Sequence, residues 1–192
     1  MSGVARVTRV RQTPPDPSIA KAVGRHHTFE TAIADLVDNS LDADASRVLV
    51  RFLESDGAVT GLQVIDDGRG MDSDQIDSAM EYARKRDYAD DDQGHFGLGL
   101  KAASLSQADT LNVYSRTYGA LPAGRTIGAD NPTSIGDLDH DDVAGVLGGL
   151  RIDFPLTNGT VVEWVGPRTF LSSRDQRDRA QWLEQRIAAL KT

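Results

Sequence analysis

Four Asp or Asn side chains fall within eight residues of an otherwise helical pattern: Asp35-Leu-Val-Asp38-Asn39-Ser-Leu-Asp42. Both residue types are poor helix formers, because their short polar side chains compete for the backbone. A chain that keeps them in a helix has to recover that cost through packing or through a ligand. Phe29, Ile33, Leu36, Val37 and Leu41 supply the packing. With Asp35 at zero on a wheel of about 100° per residue, they fall between about 100° and 240°. Asn39 lies at about 40° and Asp42 at about −20° on the same wheel. The spacing therefore predicts a helix over 28–43, with Thr28 as N-cap and one buried face. Asp35, Asn39 and Asp42 line the other face. Taken alone, this segment reads first as an amphipathic helix with a solvated acidic face. Oxygen ligands also suit Mg²⁺, and a carboxylate one turn away suits a general base. Asp38 lies about 60° around the helix from Asp35 and reads as solvated or capping.

The rest of the chain predicts an α+β domain. Residues 46–53 and 60–65 alternate as strands around the turn Ser55-Asp-Gly57, which predicts a hairpin. Ser73 is expected to cap a second helix that carries Ile76, Ala79, Met80 and Ala83 on one face. A charged loop covers 84–97, and a third helix starts near Gly99 and runs through Leu105. Strands are expected at 110–118, 150–154 and 160–165, with Thr157-Asn158-Gly159 as a hairpin turn between the last two. A short strand is expected within 4–10. Residues 119–149, rich in Gly, Asp and Pro, carry no clear pattern. Residues 174–190 read as a charged helix. This order suggests a two-layer sandwich, a mixed and mostly antiparallel sheet covered on one face by helices. The expected division is an arm at 1–20, one domain at 21–170, and a helix at 171–192 that begins a further domain.

Three further segments carry chemistry. Asp66-Asp67-Gly68-Arg69-Gly70-Met71 follows a strand. A turn is its plain reading, but a carboxylate can accept from an exocyclic amine, and glycines let a flat base approach the backbone. Met71 would add an adaptable apolar wall. Gly94-His95-Phe96-Gly97-Leu98-Gly99-Leu100-Lys101 enters a helix, and amides at a glycine-rich helix start can cradle phosphate. The segment is not a P-loop, since Leu100 intrudes before Lys101 and Ala102 replaces the hydroxyl residue. No Gly-x-Gly-x-x-Gly follows a strand, so a Rossmann fingerprint is absent. The fourth segment, Asn158-Gly159-Thr160, is unremarkable by itself.

Charge and composition limit the alternatives. With 29 acids against 21 bases the net charge is −8, which argues against nucleic-acid binding through this domain alone. There is no cysteine, which excludes disulfides, thiolate metal sites and cysteine nucleophiles in this chain. No apolar run reaches the roughly 18 residues of a membrane span, and the N-terminus lacks the apolar stretch of a secretory signal. A cytoplasmic location without membrane contact is expected. His26-His27 has no second cluster to support a metal site.

In this order, the four segments resemble the GHKL superfamily (gyrase, Hsp90, histidine kinase and MutL ATPases) with its Bergerat fold. The style is closest to the Hsp90, MORC and MutL branch. The resemblance spans about residues 28 to 165 and implies ATP and Mg²⁺ as cofactors. Asn39 would ligate Mg²⁺. Asp66 would bind the adenine amino group with Thr160 in support, and Ala43, Gly68, Gly70 and Met71 would border the base. Gly94, His95, Phe96, Gly97, Leu98 and Gly99 would form the lid edge and phosphate cradle. Lys101 would add positive charge, 84–94 would be the lid, and Asp42 would be a buried helper. Asp35 stands where hydrolytic members usually carry Glu, which makes it the expected base and places turnover in question. The implied activity is slow ATP hydrolysis, with lid closure driving homodimerisation of a larger protein. The alternatives are a nucleotide switch with negligible turnover and a histidine-kinase-type phosphotransfer domain.

Overall fold

The computed structural model describes residues 5–13, 28–80 and 98–168. These residues build a seven-stranded sheet and four helices. The strands are β1 (Val7–Gln12), β2 (Val48–Ser55), β3 (Ala58–Asp66), β4 (Ala108–Arg116), β5 (Ala123–Gly128), β6 (Ser134–Leu138) and β7 (Gly159–Pro167). The helices are α1 (Phe29–Asp42), α2 (Ser73–Met80), α3 (Leu98–Gln107) and α4 (His140–Gly148). The sheet order is β1-β6-β5-β4-β7-β3-β2, and every neighbouring pair is antiparallel. The expected α+β Bergerat architecture holds.

Alternation along the strands divides the core in two. Leu62, Val64, Leu111, Val113, Val162 and Trp164 point to one face, under Ile33 and Leu36 of α1, Ile76 and Met80 of α2 and Ala103 of α3. Each such side chain contributes about 1.5–3 kcal/mol by leaving water. Trp164 is fully buried and meets Phe29 edge-on at 5.9 Å. Ile65, Tyr114 and Val161 point the other way and join Leu138, Val143, Leu147 and Phe154 in a second cluster. Helix α4 thus lies on the sheet face opposite α1, α2 and α3. It forms inside the stretch that carried no clear pattern, capped by Asp139, whose carboxylate accepts from the amides of Asp141 and Asp142.

Next to that second cluster the face is polar. Arg51, Gln63, Glu163 and Asn112 occupy one register row across β2, β3, β7 and β4. Arg51 donates to Gln63 (2.8 Å), Gln63 to Glu163 (2.7 Å), and Asn112 and Tyr114 both donate to Glu163 (3.0 Å each). Burial and the Glu163 charge hold the Tyr114 phenol well above its ordinary pKa.

Three local expectations need correction. Residues 150–154 are irregular, not a strand, so Thr157-Asn158-Gly159 is not a hairpin turn. Gly159 instead opens β7, which pairs with β3 and β4. Leu150, Ile152, Phe154 and Leu156 pack as a covering segment, which accounts for their apolar spacing. Asp72, not Ser73, caps α2. It accepts from the Gln75 amide (2.8 Å), while the Gln75 side chain accepts from the Asp72 amide (2.9 Å), a reciprocal capping box. The predicted strand within 4–10 is β1 at Val7–Gln12. The expected helix at 174–190 lies outside the described residues, as does His26-His27.

Candidate functional site

The helix-covered face of the sheet is apolar along most of its length and turns polar at one end. Asp66, Thr160 and Ser115 share one register row at the end of the β3–β7 ladder, on β3, β7 and β4. Strand parity places them on the same face as Val64, Val162 and Val113. All three are buried, with Asp66 only 4% exposed. A polar row in such a place requires partners.

Asp66 has three among the described residues. Its Oδ1 accepts from the Gly68 amide (3.0 Å), its Oδ2 from the Ser40 hydroxyl on α1 (3.1 Å), and the carboxylate also accepts from the Thr160 amide. Burial raises the Asp66 pKa above the ordinary Asp value. The three donors pull it down, and neighbouring Asp67 adds to the rise. A carboxylate offers about four acceptor positions, so this group can still take one more donor.

The loop after β3 is drawn in by backbone contacts. Asp67 Oδ1 accepts from the amides of Ser46 and Arg47, 2.7 Å each. The Arg69 amide donates to the Ala43 carbonyl (2.9 Å), and the Arg69 guanidinium donates to the Asp42 carbonyl (2.8 Å). A Cβ on Gly68 would lie 2.7 Å from the Ala43 carbonyl oxygen. Gly70, at φ +67°, approaches so closely that a Cβ would lie 1.9 Å from the Arg116 carbonyl oxygen. Glycine is required there for both conformation and space. The C-terminal end of α1, the glycine loop and the ends of β4 and β7 therefore meet at one place.

The expected residues divide as follows. Ala43, Asp66, Gly68, Gly70, Met71 and Thr160 come together. Asp35 and Asn39 lie half-buried on α1, and Asp38 is exposed. Asp42 is not the buried helper expected of it. Its side chain is exposed in the last turn of α1, and the carbonyl is what engages Arg69. Lys101 is 1% exposed on α3, inside the protein rather than on its surface. Helix α3 begins at Leu98, in line with a helix start at the glycine-rich segment. Gly94, His95, Phe96 and Gly97 lie outside the described residues, as does 84–94. Among the described residues no group of three or more His, Asp or Glu side chains converges to hold a metal ion.

Sequence reasoning missed Ser40 and Ser115. Ser40 is 3% exposed and lies inside the first motif, at about 140° on the wheel, a polar residue within the apolar arc. Ser115 is fully buried in a strand read only for its alternation. Its one signal was a small polar residue where Leu111 and Val113 set an apolar pattern.

Comparison with known proteins fits this site. The family model described as histidine kinase-, DNA gyrase B-, and HSP90-like ATPase matches residues 27–127, just over half of the chain. That span runs from the start of α1 into β5. DNA mismatch repair protein MutL of Rhodospirillum rubrum is 34% identical over 95 residues, covering 49% of this chain and 15% of that protein. The flexible hinge domain-containing protein GMI1 of Arabidopsis thaliana is 37% identical over 75 residues, 36% of this chain and 4% of that protein. Human ATPase MORC2 is 33% identical over 84 residues, 42% of this chain and 8% of that protein. The matched stretch is thus a small part of each relative. With the motifs assembled around Asp66 and the family model spanning them, the chain belongs to the histidine kinase-, DNA gyrase B- and HSP90-like ATPase family and carries its ATP-binding domain.

Proposed function

We propose that this domain binds MgATP with the adenine amino group on Asp66 and hydrolyses it slowly, with Asp35 as general base. The observation that carries the reading is the Asp66 carboxylate. It is buried at the end of an apolar face, has three donors in place, and keeps acceptor capacity for an incoming N–H. Ala43, Gly68 and Met71 supply small or adaptable surfaces for a flat base. The amides of Leu98 and Gly99 at the start of α3, together with that of Gly97 before them in sequence, are the proposed phosphate cradle.

Magnesium would be held by the Asn39 side-chain oxygen. Mg²⁺ keeps several waters and takes few protein ligands beside phosphate oxygens. A half-buried amide, with no acidic cluster converging on a metal among the described residues, fits that habit. When bound, the ion would neutralise charge on the phosphates. Asp35, one turn before Asn39 on α1, would take the proton of an attacking water in this reading. Lid closure over 84–94 and ATP-dependent homodimerisation of a longer protein complete the reading, and the names of the relatives support an ATP-driven role.

The test combines titration with MgATP and a non-hydrolysable analogue, steady-state phosphate release, and oligomeric state with and without the analogue. Wild type should bind and turn over slowly. Asp35→Ala should bind and not turn over, and Asp66→Ala should not bind. Equal turnover by wild type and Asp35→Ala would remove Asp35 as the base. Tight binding with no phosphate release over hours would turn the reading into a nucleotide switch.

A further inference from the structure

The polar row at the end of the sheet contains a residue that no motif includes. Ser115 Oγ touches three groups from two other segments, the glycine loop and the start of β7. It lies 2.8 Å from the Met71 amide nitrogen, 3.0 Å from the Gly159 carbonyl oxygen and 2.8 Å from Thr160 Oγ1. The Met71 amide can only donate, and the Gly159 carbonyl can only accept. A serine hydroxyl has one proton and two lone pairs. For all three contacts to be hydrogen bonds, Ser115 must give its proton to Gly159 and accept from Met71. Thr160 must then donate to Ser115. The Thr160 proton is thereby committed to the protein interior, and Thr160 presents only lone pairs to the base site.

We infer that Ser115 is a positioning residue that sets base specificity, by holding the Thr160 hydroxyl as an acceptor beside the acceptor Asp66. The inference rests on the proposed nucleotide reading. With Asp66 ionised, both side chains that face the base accept and neither donates. Such a site takes a 6-amino purine whose amino group donates directly to these acceptors. A 6-oxo purine meets two acceptors with an acceptor, a mismatch that costs strongly because buried polar groups are left unpaired. Plain strand packing does not require this arrangement. Val113 and Leu111 fill the same column of β4 with apolar side chains, and a fully buried serine in that column is costly unless its hydroxyl is used. Among the described residues, the charged neighbour seen to act on Asp66 is Asp67, which supplies no donor.

The experiment is a pair of titrations of the 192-residue chain, with MgATP and with MgITP, on wild type, Ser115→Ala and Thr160→Val. Wild type should prefer ATP by about a hundredfold, and Ser115→Ala should cut that preference by about tenfold. The loss arises because a freed Thr160 hydroxyl can donate to the 6-oxo group. Thr160→Val keeps the shape and removes the hydroxyl. It should lower the preference as well, and adding Ser115→Ala to it should change nothing further. If Ser115→Ala weakens both nucleotides by the same factor, or Thr160→Val leaves the ratio at its wild-type value, the inference is overturned. Should Ser115→Ala not fold, judged by circular dichroism, the Thr160→Val ratio alone decides. Wild type that binds neither nucleotide overturns the proposed function itself. Wild type that binds both equally overturns the specificity inference and leaves nucleotide binding standing.

Discussion

Ser40 Oγ lies 3.1 Å from Asp66 Oδ2 and 3.2 Å from the Leu36 carbonyl oxygen. One hydroxyl proton on α1 thus has two acceptors, and the charged one makes the stronger bond. Burial already raises the Asp66 pKa, and the Ser40 bond opposes that rise. Ser40→Ala removes the opposition. The proposed ATP contact needs ionised Asp66, so affinity should fall as pH drops through the Asp66 pKa. In Ser40→Ala the fall should begin at higher pH, and affinity at neutral pH should drop by roughly tenfold, the worth of one hydrogen bond to a charged group. For folding of the unliganded chain the sign is opposite. An acid whose folded pKa is raised favours the fold more as pH falls through that value toward the ordinary Asp pKa. Binding isotherms and thermal melts across pH 4–8 should therefore move in opposite directions for this group. A parallel fall in both would disprove the assignment.

Gly70 and Gly119 form a matched pair for testing the loop. Both have positive φ, +67° and +77°. A Cβ at Gly119 meets nothing within 4 Å, whereas at Gly70 it meets the Arg116 carbonyl oxygen at 1.9 Å. Gly119→Ala should cost about 1 kcal/mol of stability and leave nucleotide affinity intact. Gly70→Ala should cost about 2 kcal/mol or more and weaken nucleotide binding as well, because the loop carrying Met71 has to move away from β4. Urea denaturation and nucleotide titration on both variants separate the two effects. Equal losses would show that conformation, not space, governs Gly70.

Much of this arrangement could be read in the chain. Helix α1 with its Thr28 cap and the hairpin β2–β3 follow from local periodicity and turn chemistry, whereas the grouping of Ala43, Asp66, Gly68, Gly70 and Met71 is what the family resemblance implies. The misses share a physical cause. Leu150, Ile152 and Phe154 alternate because they cover a sheet face, and a covering segment produces the same pattern as a strand. Helix α4 is short and glycine-rich, and its apolar residues Val143 and Leu147 gain meaning only against Ile65 and Tyr114, far away in sequence. Ser115 is visible only through the β4–β7 register, which no local signal sets. Asp42 was expected to be buried only because the resemblance implied it, whereas its place on the helix wheel, opposite the apolar stripe, agrees with its exposure.

Asp77 anchors α2 to the far half of the sheet. Arg125, a side chain 4% exposed, donates through Nε to Asp77 (2.6 Å) and through Nη2 to Ser73 Oγ (2.7 Å). Arg11 of β1 also pairs with Asp77, and Asp137 pairs with both arginines. Burial alone would raise the Asp77 pKa, but the hydrogen bonds and charges of Arg125 and Arg11 outweigh it and hold the carboxyl below its ordinary value. Its stabilisation is therefore complete above the unfolded pKa of about 3.9 and is lost as pH falls through the lower folded value. Asp77→Asn should cost about 1–3 kcal/mol at pH 7, less than a fully broken buried pair because Asp137 still faces Arg125. The deficit relative to wild type should shrink below pH 4. A deficit that stays constant down to pH 2 would mean that packing, not charge, carries the effect.

Asp35 offers the sharpest test of turnover. It lies on the same side of α1 as Asn39, half-buried, and the proposed reading makes it the base that activates water. Aspartate is one methylene shorter than glutamate, which sets its carboxylate back by roughly 1 Å, and a misplacement of that size costs about 10²-fold in rate. Asp35→Glu should therefore raise kcat by up to about 10²-fold and leave the Kd for a non-hydrolysable analogue unchanged, since neither Asn39 nor Asp66 depends on this side chain. Asp35→Asn keeps the size and removes the proton acceptor. It should abolish turnover at unchanged Kd. The two variants together discriminate between explanations. If both are slow, the pocket is shaped for the shorter acid, and aspartate is the working base of this domain. If both match wild type, the proton leaves by another route and Asp35 only shapes the helix face. Only a faster glutamate variant and a dead asparagine variant place reach, rather than chemistry, as the limit on turnover under this reading.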